Sequence, residues 1–233
     1  MEIARASFKA SAEFLEGRED VTDEIRQKWR LLLTKKEIKA CVKYCARVIT
    51  EKCRGKNIVI VCILKGAMYF LVDLTRKITI PHSIYCIESS SYHEEQSQGK
   101  VEILSLIKKD KFKDKDVVVV IDELLDNGNT MESVVEHIIT EGNVPPEKIF
   151  QCALLRKDNN SQYKNLDFYG LLVSNCWLVG MGLDSQQHLR NWTCLYACPK
   201  NSGIPKSEAD KIFEDDIEYG KEREKLLRRL SNL

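Results

Sequence analysis

Two stretches of this chain, Ile58–Leu64 (IVIVCIL) and Val117–Ile121 (VVVVI), are unbroken runs of β-branched and apolar residues. Runs of this kind suit strands covered on both faces, the mark of a buried parallel sheet rather than of a hairpin with one wet side. Two more strand regions fit the same sheet, Ile78–Glu88, interrupted by Pro81, and Ile149–Leu155. Helical spacing fills the gaps. After Thr34, a capping candidate, Ile38, Val42, Cys45, Ala46 and Ile49 recur at three- and four-residue intervals. Ala67–Arg76 reads as a second helix, and Met131, Val134, Val135, Ile138 and Ile139 share one face of a third. Thr22–Leu33 also reads as helical, with Ile25, Trp29, Leu32 and Leu33 at helical spacing. Strands alternating with helices predict an α/β fold around a mainly parallel sheet. Shorter apolar runs follow at Leu166–Val173, Trp177–Gly180 and Thr193–Ala197, and the charged tail from Ser207 reads as helical. No repeat or linker divides the chain, so one domain over residues 1–233 is expected.

Composition narrows the function classes. Lys and Arg total 36 and Asp and Glu 35, giving a net charge of +1. A protein that coats nucleic acid or a membrane surface needs a basic excess, so neither partner is expected. No apolar run approaches the roughly 18–20 residues that span a bilayer. The first twenty residues lack the apolar core of a signal peptide, and a cytoplasmic protein is expected. Of the nine cysteines, Cys62, Cys86, Cys152, Cys176 and Cys194 sit in strand-like runs and read as reduced, buried thiols. Cys41–Cys45 and Cys194–Cys198 lack the second ligand pair of a zinc site.

The chemistry concentrates in Val117–Met131, VVVVIDELLDNGNTM. A buried strand ends in two carboxylates, Asp122 and Glu123. Asp126 follows, and Asn127-Gly128-Asn129-Thr130 opens a helix. Backbone amides at a helix start make a ready anion site. Gly128 permits the turn and close approach of a phosphate, while Thr130 and Asn127 or Asn129 offer side-chain donors. Carboxylates at a strand's carboxyl end face the crevice where α/β sheets bind ligands. Phosphate donors beside hydroxyl-binding carboxylates suit a phosphorylated sugar. The competing reading, a hairpin turn at Asn127-Gly128, requires a strand where a helical pattern follows. Calcium-loop and nucleotide-loop spacings are absent.

This segment resembles the phosphoribosyl-diphosphate (PRPP) motif of type I phosphoribosyltransferases: hydrophobic strand, two acids, two hydrophobics, Asp, then a small polar loop. Further matches run from about Thr34 to Ala197 and resemble the hypoxanthine-guanine branch, most narrowly the protozoan guanine phosphoribosyltransferases. Residues 1–33 and 198–233 stand outside them as helical extensions, part hood or interface. The resemblance implies the type I phosphoribosyltransferase fold, a mainly parallel central sheet flanked by helices, with a small hood subdomain.

It also implies roles. Leu64-Lys65-Gly66-Ala67 resembles a loop in which a cis peptide before the lysine lets the backbone, here around Lys65 and Gly66, hold pyrophosphate. Ser91-Tyr92 matches a pair on a flexible lid, and the long polar stretch Ser89–Lys115 suits that lid. Arg156 stands where the family has a lysine contacting the six-position oxygen of a purine. Trp177 matches an aromatic that stacks on the base, and Leu178 the residue whose backbone reads the base edge. Asp184 matches a magnesium ligand and Arg190 a pyrophosphate-binding arginine. Asp122 and Glu123 would bind ribose hydroxyls and assist magnesium, Asn127 to Thr130 would hold the 5′-phosphate, and Asp126 would act as general base at purine N7. The expected reaction joins guanine or a related 6-oxopurine to PRPP with Mg2+, releasing pyrophosphate and a nucleoside 5′-monophosphate, in a homodimer or homotetramer. Three departures stand out: Ala67 replaces a glycine, Asp122-Glu123 inverts the usual Glu-Asp order, and Asn127 and Asn129 replace Thr and a basic residue. A PRPP-binding regulator without turnover, or an enzyme for another base such as xanthine or a pyrimidine, stays open at this point.

Overall fold

A computed structural model describes the chain over residues 29–91, 101–158 and 163–198. The strands are β1 (Arg30–Leu33), β2 (Ile58–Leu64), β3 (His82–Ser91), β4 (Val101–Ile103), β5 (Val117–Leu125), β6 (Ile149–Asp158), β7 (Phe168–Ser174), β8 (Trp177–Val179) and β9 (Leu195–Cys198). The helices are α1 (Lys35–Lys52), α2 (Met68–Thr75) and α3 (Asn129–Thr140), with single 3₁₀ turns at Lys109–Lys111 and Pro146–Lys148. Within the described residues, Cys41–Val173 form one compact unit, and the residues up to Ala40 and from Ser174 onward form another.

The larger unit holds a six-stranded sheet in the order β4-β3-β2-β5-β6-β7. Its centre is parallel: β2 pairs β3 and β5, and β5 pairs β6, all in the same direction. Every β2 residue from Ile58 to Ile63 is buried, as the uninterrupted apolar sequence requires of a strand sandwiched between layers. One face of the sheet meets α3, which buries Met131, Val134 and Ile138 against Val59, Val61, Ile63, Val118 and Val120. α1 begins with a reciprocal cap: the Glu37 amide donates to Thr34 Oγ1 (3.3 Å) and the Thr34 amide donates to Glu37 Oε2 (2.8 Å).

The smaller unit is built on a three-stranded antiparallel sheet, β1-β9-β8. Trp192 and Tyr196 meet edge to face in its core, 4.9 Å between centroids, together with Trp29, Val179, Leu189 and Cys194.

Some sequence expectations change. Residues 30–33 are a strand, not the end of a helix: Arg30 and Leu31 pair with Ala197 and Tyr196, so a distant partner overrides the local helical spacing. β5 continues four residues past Ile121, and Asp122, Leu124 and Leu125 keep pairing with β6. The polar stretch after Ser89 is partly built into the sheet, since Ser89, Ser90 and Ser91 pair antiparallel with Ile103, Glu102 and Val101. Cys86 is exposed, whereas Cys41, Cys45, Cys53, Cys62, Cys152, Cys176 and Cys194 are buried, and all eight are free thiols. The proposed helices in residues 1–28 and 207–233 lie outside the described residues.

Ile138 is fully buried at the sheet-facing side of α3. Ile138→Ala should destabilise the fold by about 2–5 kcal/mol through the cavity it leaves. A urea melt in which the variant and the parent unfold at the same midpoint would contradict this packing.

Candidate active site

The parallel strands deliver their carboxyl ends to one edge of the sheet, the edge at which α/β proteins bind ligands. β2 ends at Leu64, and a cis peptide joins Leu64 to Lys65. Gly66 is buried, and a methyl group on it would overlap the Glu123 carboxylate, so the acid of β5 is packed directly onto the turn after β2. The Lys65 ammonium is exposed, 3.8 Å from Glu88.

Asp122 is only 7% exposed, and its Oδ1 accepts the Glu123 amide (2.9 Å). Burial pushes its carboxyl well above the usual carboxylate range, and the adjacent Glu123 charge pushes it further. The chain then turns at Asp126, Asn127 and Gly128. Asn127 Oδ1 accepts the Asn129 amide (3.0 Å), and Gly128, with φ +93°, stands as the residue before α3. The Glu132 amide closes the first helical bond on the Gly128 carbonyl (2.9 Å), leaving the earlier amides of the helix start outside the helical ladder.

Asp126 faces Lys157. The Lys157 Nζ donates to Asp126 Oδ2 at 2.6 Å, with the lysine side chain 4% exposed and the aspartate 43%. A buried ammonium is costly without a partner, and this pair supplies one while leaving the carboxylate open to solvent. Lys157 is the functional candidate that sequence reasoning missed. Arg156, the residue assigned to meet a purine oxygen, lies over the Tyr169 ring at 5.6 Å. Side chains alternate along β6, so the residue next to Arg156, and not Arg156 itself, turns toward Asp126. The missed signal was a lysine one position beyond the expected one, inside a strand whose full length was underestimated.

The smaller unit carries the other candidates. Trp177 opens β8 with 47% of its surface exposed, unusual for so large an aromatic, and Leu178 beside it is buried. Asp184 and Arg190 form an ion pair of 2.7 Å. The Arg190 guanidinium also donates to the Gly182 carbonyl (2.8 Å) and to Gln187 Oε1 (3.0 Å), and the Gln187 amide donates to Asp184 Oδ2 (2.7 Å). The backbone around them is left-handed at Met181, Gln186, Gln187 and Leu189, with φ between 52° and 70°. Residues of these types adopt that conformation at a cost of order 1–3 kcal/mol each, which concentrates at functional loops. Nothing in their identities announces it. Among the earlier candidates, Ser91 is placed in β3 by its backbone, and Tyr92 lies outside the described residues.

A turn of amides after a central strand, two acids on that strand and a second glycine turn beside them gather at one edge of a parallel sheet. The phosphoribosyl transferase domain family matches residues 29–186, well over half of the sequence, and this chain belongs to that family. It is an enzyme of phosphoribosyl transfer, a glycosyltransferase by reaction type. Among its relatives, the hypoxanthine phosphoribosyltransferase of Salmonella typhimurium is 31% identical over 165 residues, 69% of this chain and 90% of that one. The hypoxanthine-guanine phosphoribosyltransferase of Aquifex aeolicus is 33% identical over 177 residues, 74% and 97% of the two chains. A crystal structure of a hypoxanthine phosphoribosyltransferase from Staphylococcus aureus superposes with a TM-score of 0.65 at 27% identity, covering 79% of this chain and 98% of that one.

The raised pKa of Asp122 has a testable sign. Its ionised form is disfavoured in the folded state, so it costs stability at neutral pH and that cost is relieved as pH falls. Asp122→Asn keeps an acceptor for the Glu123 amide and removes the buried charge. In magnesium-free buffer it should melt higher than the parent at pH 7–8, by the equivalent of about 1 kcal/mol or more. The difference should shrink as the pH approaches about 4, where the unfolded carboxyl protonates too. A variant that melts lower at pH 8 would refute the assignment.

Proposed function

We propose that this enzyme transfers the 5-phosphoribosyl group of PRPP to a 6-oxopurine, guanine foremost and hypoxanthine with it, in purine salvage. The observation that carries the reading is the Asp126–Lys157 pair. On one edge of a 6-oxopurine, N7 and the six-position oxygen sit side by side, whereas adenine places an amino donor at the sixth position. A carboxylate next to an ammonium complements an edge offering a proton on N7 and an acceptor at O6. Adenine would set its amino group against the ammonium. The role expected of Arg156 therefore passes to Lys157.

In the reaction the bond from the anomeric carbon to pyrophosphate breaks as a bond to the purine nitrogen forms, through an oxocarbenium-like state. Asp126 takes the proton from N7 and raises the nucleophilicity of the ring, an effect worth about 10²–10⁴ in rate. Amides and side chains of Asn127, Gly128, Asn129 and Thr130 hold the 5′-phosphate at the helix start. Asp122 and Glu123 face the ribose hydroxyls, and the Lys65-Gly66 turn takes up charge on the leaving pyrophosphate. Arg190, in the smaller unit, is a separate candidate for binding pyrophosphate. Trp177 offers its exposed ring as a stacking face and Leu178 its backbone to the base edge. Ser91 and Tyr92 belong to the segment that would cover the reaction centre.

The donor set suits magnesium. Among the described residues no group of three His, Cys, Asp or Glu side chains is arranged to hold a metal. Magnesium is satisfied by one or two carboxylates when phosphate oxygens and water complete its shell. Asp184 is the carboxylate proposed to hold it, and Asp122 and Glu123 are separate candidates on β5. When bound, the ion neutralises pyrophosphate charge.

The decisive assay follows PRPP-dependent consumption of guanine, hypoxanthine, xanthine, adenine and orotate in separate reactions with magnesium. Guanine and hypoxanthine should be consumed and adenine spared. Asp126→Asn should lower kcat by about 10²-fold or more with little change in PRPP affinity. Lys157→Met should raise the KM for the base about tenfold or more and narrow the preference over adenine. Efficient use of adenine by the parent would reject the reading, as would undiminished turnover in Asp126→Asn.

A further inference from the structure

The centre of the phosphate turn is covered by a side chain to which no role has been given. Gly128 is buried although Asn127 and Asn129 on either side are exposed. A Cβ at Gly128 would lie 2.5 Å from both Cβ and Cγ of Tyr163 and 2.8 Å from Cδ2, so the start of the tyrosine ring lies directly on the glycine. The left-handed backbone at Gly128 and the tyrosine above it are thus two constraints on one residue: neither the conformation nor the space admits a side chain.

Tyr163 is itself held firmly. It is 7% exposed, and its hydroxyl donates to Oε1 of the equally buried Gln151. Gln151 lies in β6 opposite Val120 of β5, and its amide donates to Asp167 Oδ2 (2.8 Å), while the Asp167 amide donates back to the Gln151 carbonyl (3.2 Å). The segment carrying Tyr163 is laced to the sheet at its far end, and the ring reaches from that anchor to the turn. Tyr163 also belongs to the apolar cluster beneath α3, with Met131 and Val134 of the same helix. The tyrosine therefore touches both the turn and the core on which the helix rests.

We infer that Tyr163 is a positioning residue for phosphoribosyl transfer: its ring fixes the Asn127–Thr130 backbone in the conformation that presents amides to the 5′-phosphate. This rests on the proposed reading of that turn. Its consequence is specific. Tyr163 sets the affinity for every ligand bearing the 5′-phosphate and leaves the base and the chemical step alone.

The test compares Tyr163→Leu, Tyr163→Phe and the parent. In Tyr163→Leu the KM for PRPP and the calorimetric Kd for PRPP should both rise about tenfold or more, as a misplaced binding group predicts. In the reverse direction the KM for the nucleoside 5′-monophosphate should rise by a similar factor, with kcat and the KM for the base within about twofold. Tyr163→Phe keeps the ring and should recover most of the affinity. Amide exchange at Gly128, Asn129 and Thr130 should quicken in the leucine variant and not in the phenylalanine variant. If Tyr163→Leu does not fold, Tyr163→Met, which fills more of the volume, takes its place. An unchanged donor affinity, or equal losses for donor and base, would overturn the inference. A parent protein that binds PRPP without turnover would defeat the functional reading alone, since calorimetry and amide exchange still judge the tyrosine.

Discussion

Parallel strands cannot be joined at neighbouring ends, so each must be followed by a crossover, and all their carboxyl ends gather on the same edge of the sheet. In this chain that constraint binds β2, β3, β5 and β6 together. It is why the turn at Lys65-Gly66 and the turn at Asp126–Gly128, far apart in sequence, open at one edge. The contact between Gly66 and the Glu123 carboxylate is a direct product of the pairing of β2 with β5. The valine and isoleucine runs thus do more than fill a core. They set the register in which the polar residues after them meet.

The same sheet carries a load it would be more stable without. Among the described residues the buried polar side chains are Thr50, Asp122, Gln151 and Lys157, and three of these are the acid near the end of β5, the partner of Tyr163 and the partner of Asp126. Lys157 is offset by Asp126 at 2.6 Å, and the Gln151 side chain by the Tyr163 hydroxyl. Burial and the Glu123 charge beside it disfavour the Asp122 charge, which the Glu123 amide offsets only in part. Rigid apolar surroundings make such placements tolerable, and placements of this kind are what give a site its chemistry.

Much of this was legible beforehand because it depends on local pattern. IVIVCIL and VVVVI are read on both faces as buried strands, Thr34 as a cap, and DELLDNGNT as acids and helix start. What escaped depends on partners distant in the chain. Arg30–Leu33 carries helical spacing yet pairs with Leu195–Cys198. Arg156 and Lys157 are adjacent cations, and only the extension of β6 to Asp158 decides which of them turns toward Asp126. Tyr163 gives no sign of its place over Gly128, because the contact joins a loop after β6 to a turn after β5. Left-handed Met181 and Leu189 are invisible for the opposite reason: their side chains argue against the backbone they adopt.

The pairing of Lys157 with Asp126 also has an electrical consequence. Each cancels the other before any base arrives, so in the proposed reaction a neutral purine meets a patch with no net charge. The phosphorylated donor of that proposal is instead a polyanion, to be met by the oriented amides after β5. Ionic strength should therefore divide the two substrates: added salt screens the approach of the donor and leaves the encounter with the base nearly untouched.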